Sequence, residues 1–215
     1  MGKVTSWTFT GGRILSEMIT AAEVERIFRE SGALREGHFL LSSGRHSPMY
    51  LEKFLVLQWP ANTELLCFGI VERIRSEHIT TVAGPTTGGI ILAHEVARQL
   101  GARAVYAERD EHGSARVFRR GLGIARDERV LVVDDVMTTG GSVQETIDAV
   151  RSSGGEVVAA AVIVDRSGGA ARIGVPLHAL WSLDIPTYAA QECPLCDRGL
   201  DLVKPGTTPA AAVAR

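Results

Sequence analysis

The chain predicts an α/β fold with a central, mostly parallel sheet flanked by helices, and three observations carry that expectation. Short apolar runs alternate with stretches of helical spacing along most of the sequence. The best of these runs, Val130 to Val133, is β-branched and leucine-rich without polar alternation, as suits a strand buried on both faces of a parallel sheet. Loops rich in Gly, Thr and Asp then follow the runs, at the carboxyl ends of strands where open α/β sheets bind ligands.

Each element has a local reason. Thr20 and Glu23 have capping-box spacing, which opens a helix to about residue 30 that Gly32 stops. Residues 37–48 are short and turn-rich, and 49–56 read as a strand. Apolar spacing at Leu65, Leu66, Gly69, Ile70 and Ile74 predicts a helix over 62–75. A strand at 79–83, a loop at 84–89 and a helix at 90–100 ended by Gly101 come next. Residues 104–107 predict a strand, 109–116 a polar mobile loop, and 117–120 a returning edge strand. After the helix that follows residue 143, Gly154 and Gly155 turn into a strand over 156–164 that ends in Asp165 and Arg166. A last strand is expected at 176–183. Residues 1–18 read as a loose arm, 19–204 as one domain, and 205–215, with nothing to bury, as a disordered tail.

Composition narrows the class. At 215 residues, with 45% hydrophobic and 22% charged residues, the chain suits one soluble α/β domain with a substantial core. A net charge of −2 without a long Lys/Arg run leaves no electrostatic footprint for nucleic acid. No apolar stretch is long enough to span a bilayer, and no secretory leader is legible, so no membrane partner is expected. Three cysteines, an odd count, argue against a disulfide scaffold. The expectation is a cytoplasmic enzyme.

Residues 129–143, Arg-Val-Leu-Val-Val-Asp-Asp-Val-Met-Thr-Thr-Gly-Gly-Ser-Val, are the most informative stretch. The strand delivers Asp134 and Asp135 to its end. Val136 and Met137 lead into Thr138, Thr139, Gly140, Gly141 and Ser142, which offer hydroxyls and open backbone N–H groups at a helix N-terminus. That end is partly positive and suits a phosphate. Carboxylates beside it would repel a bare anion, so they need another partner: ribose hydroxyls or a divalent cation. Thr86, Thr87, Gly88 and Gly89 form a second cradle between a strand and a helix on the same sheet edge. Two cradles on one edge imply a substrate with two separated phosphate groups. Arg109 and His112 lie in a polar segment able to act as a lid, with Arg116, Arg119 and Arg120 nearby. Arg166 can take a carboxylate in a two-pronged manner.

Residues 129–143 resemble the phosphoribosyl-pyrophosphate (PRPP) signature of the type I phosphoribosyltransferases. Phe39-Leu-Leu-Ser-Ser-Gly-Arg-His-Ser-Pro-Met-Tyr50 is similar to the Phe-x-Leu-x-Ser-Gly-x-x-Ser-x-x-Tyr hood segment of the orotate enzymes, and Val56-Leu57-Gln58 extends the likeness. The resemblance, from about residue 23 to 204, implies the type I fold with a small N-terminal hood at about 19–60, joined by 176–204. It implies transfer of phosphoribose from PRPP to orotate, giving orotidine 5′-phosphate in pyrimidine synthesis. It assigns the 5-phosphate to 138–142, ribose hydroxyls to Asp134 and Asp135, and pyrophosphate to 86–89. Orotate falls to Ser43, Gly44, Arg45, Thr138 and Arg166. Mg²⁺ enters with PRPP, with Asp134 and Asp135 as further candidate ligands, and the lid residues Arg109 and His112 neutralise the departing diphosphate. A homodimer sharing its lids is also implied.

Lysines common in that family are missing at three places: before the hood Ser-Gly, where Ser42 stands; before the second loop glycine, where Gly88 stands; and in the lid, which has none and is shorter. Pyrophosphate binding is therefore expected to lean on backbone amides, Mg²⁺ and arginines. Rival readings are a purine or uracil base, a PRPP-sensing regulator on the same fold, and an inactive scaffold. Cys193-Pro-Leu-Cys196 can be half of a zinc site, a redox pair or a turn. Zinc at Cys193 and Cys196 is the disfavoured reading, because a four-ligand site then needs histidines or a second subunit.

Overall fold

Strand β6 shows why the sheet is central. In Arg129–Met137, successive side chains enter opposite cores: Leu131 and Val133 face one, Val130 and Val132 the other, all fully buried. The computed structural model describes residues 18–41, 43–113 and 115–205; the expected arm before residue 18, Ser42 and the expected tail after 205 lie outside the described residues.

Six strands form the sheet in the order β5 (Arg116–Val117), β4 (Arg103–Arg109), β3 (Thr81–Pro85), β6, β7 (Glu156–Asp165) and β8 (Leu177–Ser182). All neighbours are parallel except β5, which pairs antiparallel with β4. The chain runs outward from β3 to β4 on one side and from β6 through β7 to β8 on the other. The β3–β6 seam is thus the switch point, where a crevice opens beyond the carboxyl ends of the strands.

Helices α1 (Ala21–Glu30), α2 (Phe54–Leu57), α3 (Pro60–Ile74) and α4 (Gly88–Leu100) pack one face, and α5 (Gly141–Ser152) the other. A two-stranded hairpin, β1 (Leu34–Leu40) with β2 (His46–Leu51), stands apart from this sheet. The segment after β8, which includes the short α6 (Pro194–Asp197), lies across the hairpin. Tyr188 bridges His46, and Val203 bridges Phe39.

Several expectations shift. The capping box at Thr20 forms with both reciprocal bonds. The strand expected over 49–56 instead begins at His46 and stops at Leu51, and Phe54–Leu57 is one helical turn. A short apolar run does not choose between strand and helix by periodicity. Strand β1 was hidden in a turn-rich reading because its middle residues, Arg35, Glu36 and Gly37, are all exposed. The edge strand expected over 117–120 is only the pair Arg116–Val117. Strand β6 runs past the two aspartates to Met137, because its ladder with β7 continues to the Met137–Asp165 pair.

Phe28 on α1 is 1% exposed, with its ring centroid 5.7 Å from that of Trp181 on β8. Phe28→Ala is expected to destabilise the fold by about 3–5 kcal/mol, measured as a lower midpoint in urea denaturation; a change within error would place the helix outside the cooperative core.

Candidate active site

Asp134 and Asp135 lie in the ladder of β6, close to the seam, and both are buried. Their oxygens have different partners. Asp134 Oδ2 accepts from Ser142 Oγ at 2.6 Å and Oδ1 from the Asp135 amide at 2.9 Å. Asp135 Oδ1 accepts from the Val136 amide at 2.6 Å and from Lys53 Nζ at 2.9 Å. Asp135 Oδ2 is buried and has no hydrogen-bond partner among the described residues.

Burial, and then the neighbouring Asp135 charge, raise the Asp134 carboxyl from 3.8 to about 6, against the pull of Ser142, the Asp135 amide and Lys53. Burial likewise raises Asp135, opposed chiefly by the charge of Lys53 and its hydrogen bond. Two carboxylates side by side at a dry strand end thus hold one strained charge pair, eased by a single ammonium.

Helix N-termini flank this pair. Helix α4 starts at Gly88 just after β3, and α5 at Gly141 after the hydroxyl-rich bend, and neither start has a side-chain cap. Their first N–H groups lack intrahelical acceptors, and both starts follow strands of the seam, an arrangement suited to anions. Gly140 caps α5 with φ +85°, the left-handed region that glycine tolerates. At Gly88 a Cβ would overlap Asp135 Oδ2, so only glycine lets the second cradle lie against the acid pair. Thr138 and Thr139 are exposed on the bend, while Thr86 is half-buried and Thr87 exposed in the other loop.

The remaining expected residues separate. Arg166 follows β7 beside the bend, its amide bonded to the Met137 carbonyl at 2.8 Å. Its side chain is half-buried; burial lowers its pKa from the ordinary arginine value, and Nε has no hydrogen-bond partner among the described residues. Arg45, by contrast, is tied to the C-terminal segment, with Nε on Thr187 Oγ1 at 2.8 Å and a terminal nitrogen on the Thr187 carbonyl at 2.6 Å. Ser43 and Gly44 are exposed in the hairpin turn.

The lid residues form a hairpin between β4 and β5. Arg109 is bonded to the Gly113 carbonyl and lies 3.5 Å from Glu145, while His112 is exposed at the tip. Arg116 is better placed. It is buried, pairs with Glu145 at 3.2 Å and donates to Thr86 Oγ1 at 3.3 Å, touching the second cradle directly. Arg119 and Arg120 pair with Glu111 and Glu108. Cys193 and Cys196 lie elsewhere, gathered with His38 and His46.

Lys53 was missed by sequence reading. It sits 82 positions from Asp135, and the expected strand over 49–56 gave its side chain no special direction. Its one signal is scarcity: the sequence has three lysines, and only Lys53 lies away from the ends.

A sheet with two uncapped helix starts and a buried acid pair at its switch point fits a phosphoribosyl transfer site, and residues 57–175 match the phosphoribosyl transferase domain. The chain is 49% identical over 189 residues to orotate phosphoribosyltransferase of Pelotomaculum thermopropionicum, covering 88% of this chain and 98% of that one. The enzyme of the same name from Caldanaerobacter subterraneus is 49% identical over 185 residues, with coverage of 86% and 96%. The crystal structure of orotate phosphoribosyltransferase from Aeropyrum pernix superposes with TM-score 0.65 and 32% identity, over 74% of this chain and 93% of that one. The chain belongs to the orotate phosphoribosyltransferase family.

Lys53→Met leaves Asp135 buried without its cation. It is expected to destabilise the protein by about 1–3 kcal/mol at pH 7 and by less near pH 4, where the carboxyl takes a proton. Urea denaturation at both pH values checks this, and an equal loss at both would show that Lys53 acts by packing alone.

Proposed function

We propose that the chain transfers the phosphoribosyl group of PRPP to orotate, releasing pyrophosphate and orotidine 5′-phosphate in pyrimidine synthesis. The observation that carries the reading is the buried Asp134–Asp135 pair between two helix starts. A ribose placed over the acids puts one phosphate group on each cradle. The 5-phosphate takes the bend at 138–142 and the pyrophosphate the loop at 86–89.

The reaction is substitution at the ribose anomeric carbon. The bond to the pyrophosphate oxygen breaks as the bond to the base nitrogen forms, and positive charge develops on the sugar. Asp134 and Asp135 accept the ribose hydroxyls and face that charge, and backbone dipoles hold the two phosphate groups in place. Arg116, already on Thr86, is the arginine nearest the departing pyrophosphate. Arg109 and His112 join it when the hairpin tip closes. Arg166, whose buried Nε has no hydrogen-bond partner among the described residues, takes the orotate carboxylate. Ser43 and Gly44 cover the base from the hairpin turn, and Arg45 supports that turn through Thr187.

The acid pair offers only oxygen donors, one of them without a partner, and so fits Mg²⁺ held mainly by substrate oxygens and water. Bound there, the ion would neutralise diphosphate charge. The same proposal makes the chain a cytoplasmic homodimer whose exposed His112 reaches the neighbouring subunit's site. Its three cysteines are unbridged, as suits a reducing compartment. Among the described residues no helix is long and apolar enough to cross a membrane.

Base-dependent PRPP consumption tests the substrate. Turnover is expected with orotate and not with hypoxanthine or uracil, and Asp134→Asn or Asp135→Asn should lower kcat by at least about a hundredfold. Use of hypoxanthine in place of orotate would end the substrate assignment.

The raised Asp134 carboxyl gives a pH signature. In the ligand-free chain, a folded-state pKa above the ordinary value means this group favours folding most at acid pH and loses that contribution as pH rises through about 6. Binding runs the other way, because the ionised form is the better hydroxyl acceptor. The kcat/KM for PRPP should therefore fall as pH drops below about 6; a flat profile down to pH 5 would remove Asp134 from ribose recognition.

A further inference from the structure

The hairpin and the C-terminal segment bring four metal-binding side chains to one point. His38 is on β1, His46 opens β2, Cys193 precedes α6 and Cys196 lies within it. Their ligand atoms all lie within 4.8 Å of one another, and three of the four residues are buried. His38 Nε2 is 2.9 Å from His46 Nδ1, 3.5 Å from Cys193 Sγ and 3.8 Å from Cys196 Sγ, and Cys196 Sγ is 3.4 Å from His46 Nδ1. A tetrahedral zinc ion with two nitrogen and two sulfur ligands has edges of about 3.3 Å (N to N), 3.6 Å (N to S) and 3.8 Å (S to S). These four distances lie within about half an ångström of that geometry, and the widest separation in the cluster, within 4.8 Å, closes with a small side-chain shift on binding.

The geometry points to a structural zinc site formed by His38 Nε2, His46 Nδ1, Cys193 Sγ and Cys196 Sγ. Four observations converge on it. The Cys-x-x-Cys spacing is that of a zinc-binding turn. His38 Nδ1 lies 2.8 Å from the Leu200 carbonyl, which accepts its N–H, so the lone pair of Nε2 is turned into the cluster. A hydrogen bond between the two imidazoles would account for the histidine pair but not for two thiols converging on the same atoms. Charge also balances: both thiols release their protons to solvent on binding, and two thiolates with two neutral imidazoles neutralise the dication. With four protein ligands the site is closed, so its role is structural.

The site has a physical purpose. A two-stranded hairpin is marginal by itself, and here it is joined to the C-terminal segment by single bridges at Tyr188 and Val203 and by side-chain bonds of Arg45 to Thr187 and of His38 to Leu200. Zinc would clamp β1, β2 and α6 together, fixing the turn that carries Ser43 to Arg45. The inference does not depend on the transferase reading, since none of the four residues belongs to the acid pair or the cradles.

The test is metal analysis of the full chain purified under reducing conditions. About one zinc per chain is expected, surviving dialysis and lost in Cys193→Ser and Cys196→Ser, while Cys67→Ser, a buried cysteine outside the cluster, keeps it. Should the serine variants fail to fold, the unaltered chain still decides the matter. Stripped of metal and given Co²⁺, it should show thiolate-to-cobalt charge-transfer bands and the intense visible bands of a tetrahedral ion. Substoichiometric zinc after growth with added zinc, iron in its place, a Cys193–Cys196 disulfide in the freshly purified protein, or no cobalt spectrum would each overturn the assignment.

Discussion

Two negative charges held side by side at the end of a central strand are the constraint around which the site is organised. Burial opposes ionisation of both Asp134 and Asp135, the Asp135 charge adds to it at Asp134, and the protein counters with a small set of donors: Ser142, two backbone amides and Lys53. The strand that presents them is buried on both faces, so the pair cannot move toward solvent for relief. In the proposed reading, a ligand bringing hydroxyl donors and positive character relieves that tension as it binds.

The surrounding architecture follows from where that strand lies. At the β3–β6 seam the chain leaves in opposite directions, so α4 and α5 cover opposite faces and their amino ends come together. The two uncapped helix starts and the carboxylate pair are thereby placed on rigid elements. Only the hairpin between β4 and β5 and the turn of the first hairpin supply loop residues. Arg116 links these parts, since the same guanidinium meets Glu145 on α5 and Thr86 in the loop between β3 and α4.

Local features of this fold are legible in the sequence, and contacts between distant positions are not. The capping box at Thr20, the glycine stop at Gly101, the buried run of β6 and the hydroxyl-rich bend are local signals, and each corresponds to an element of the structure. Lys53 on Asp135, and the histidines beside Cys193 and Cys196, are contacts between positions 82 and more than 140 residues apart. No periodicity encodes such contacts. Strand β1 escaped because its solvent-facing middle breaks the alternation a strand normally shows, and the turn at 54–57 because an apolar run suits either backbone.

An open parallel sheet exposes unpaired amides and carbonyls along its outer strands, a template on which another chain can polymerise. Beside β4 that template is cut short by β5, a strand of only two residues running the opposite way, and the backbone then turns off through Phe118 and Arg119. The hairpin that brings Arg116 to Thr86 also blunts this border against fibril-like growth. A replacement that straightened it would threaten solubility before it touched chemistry.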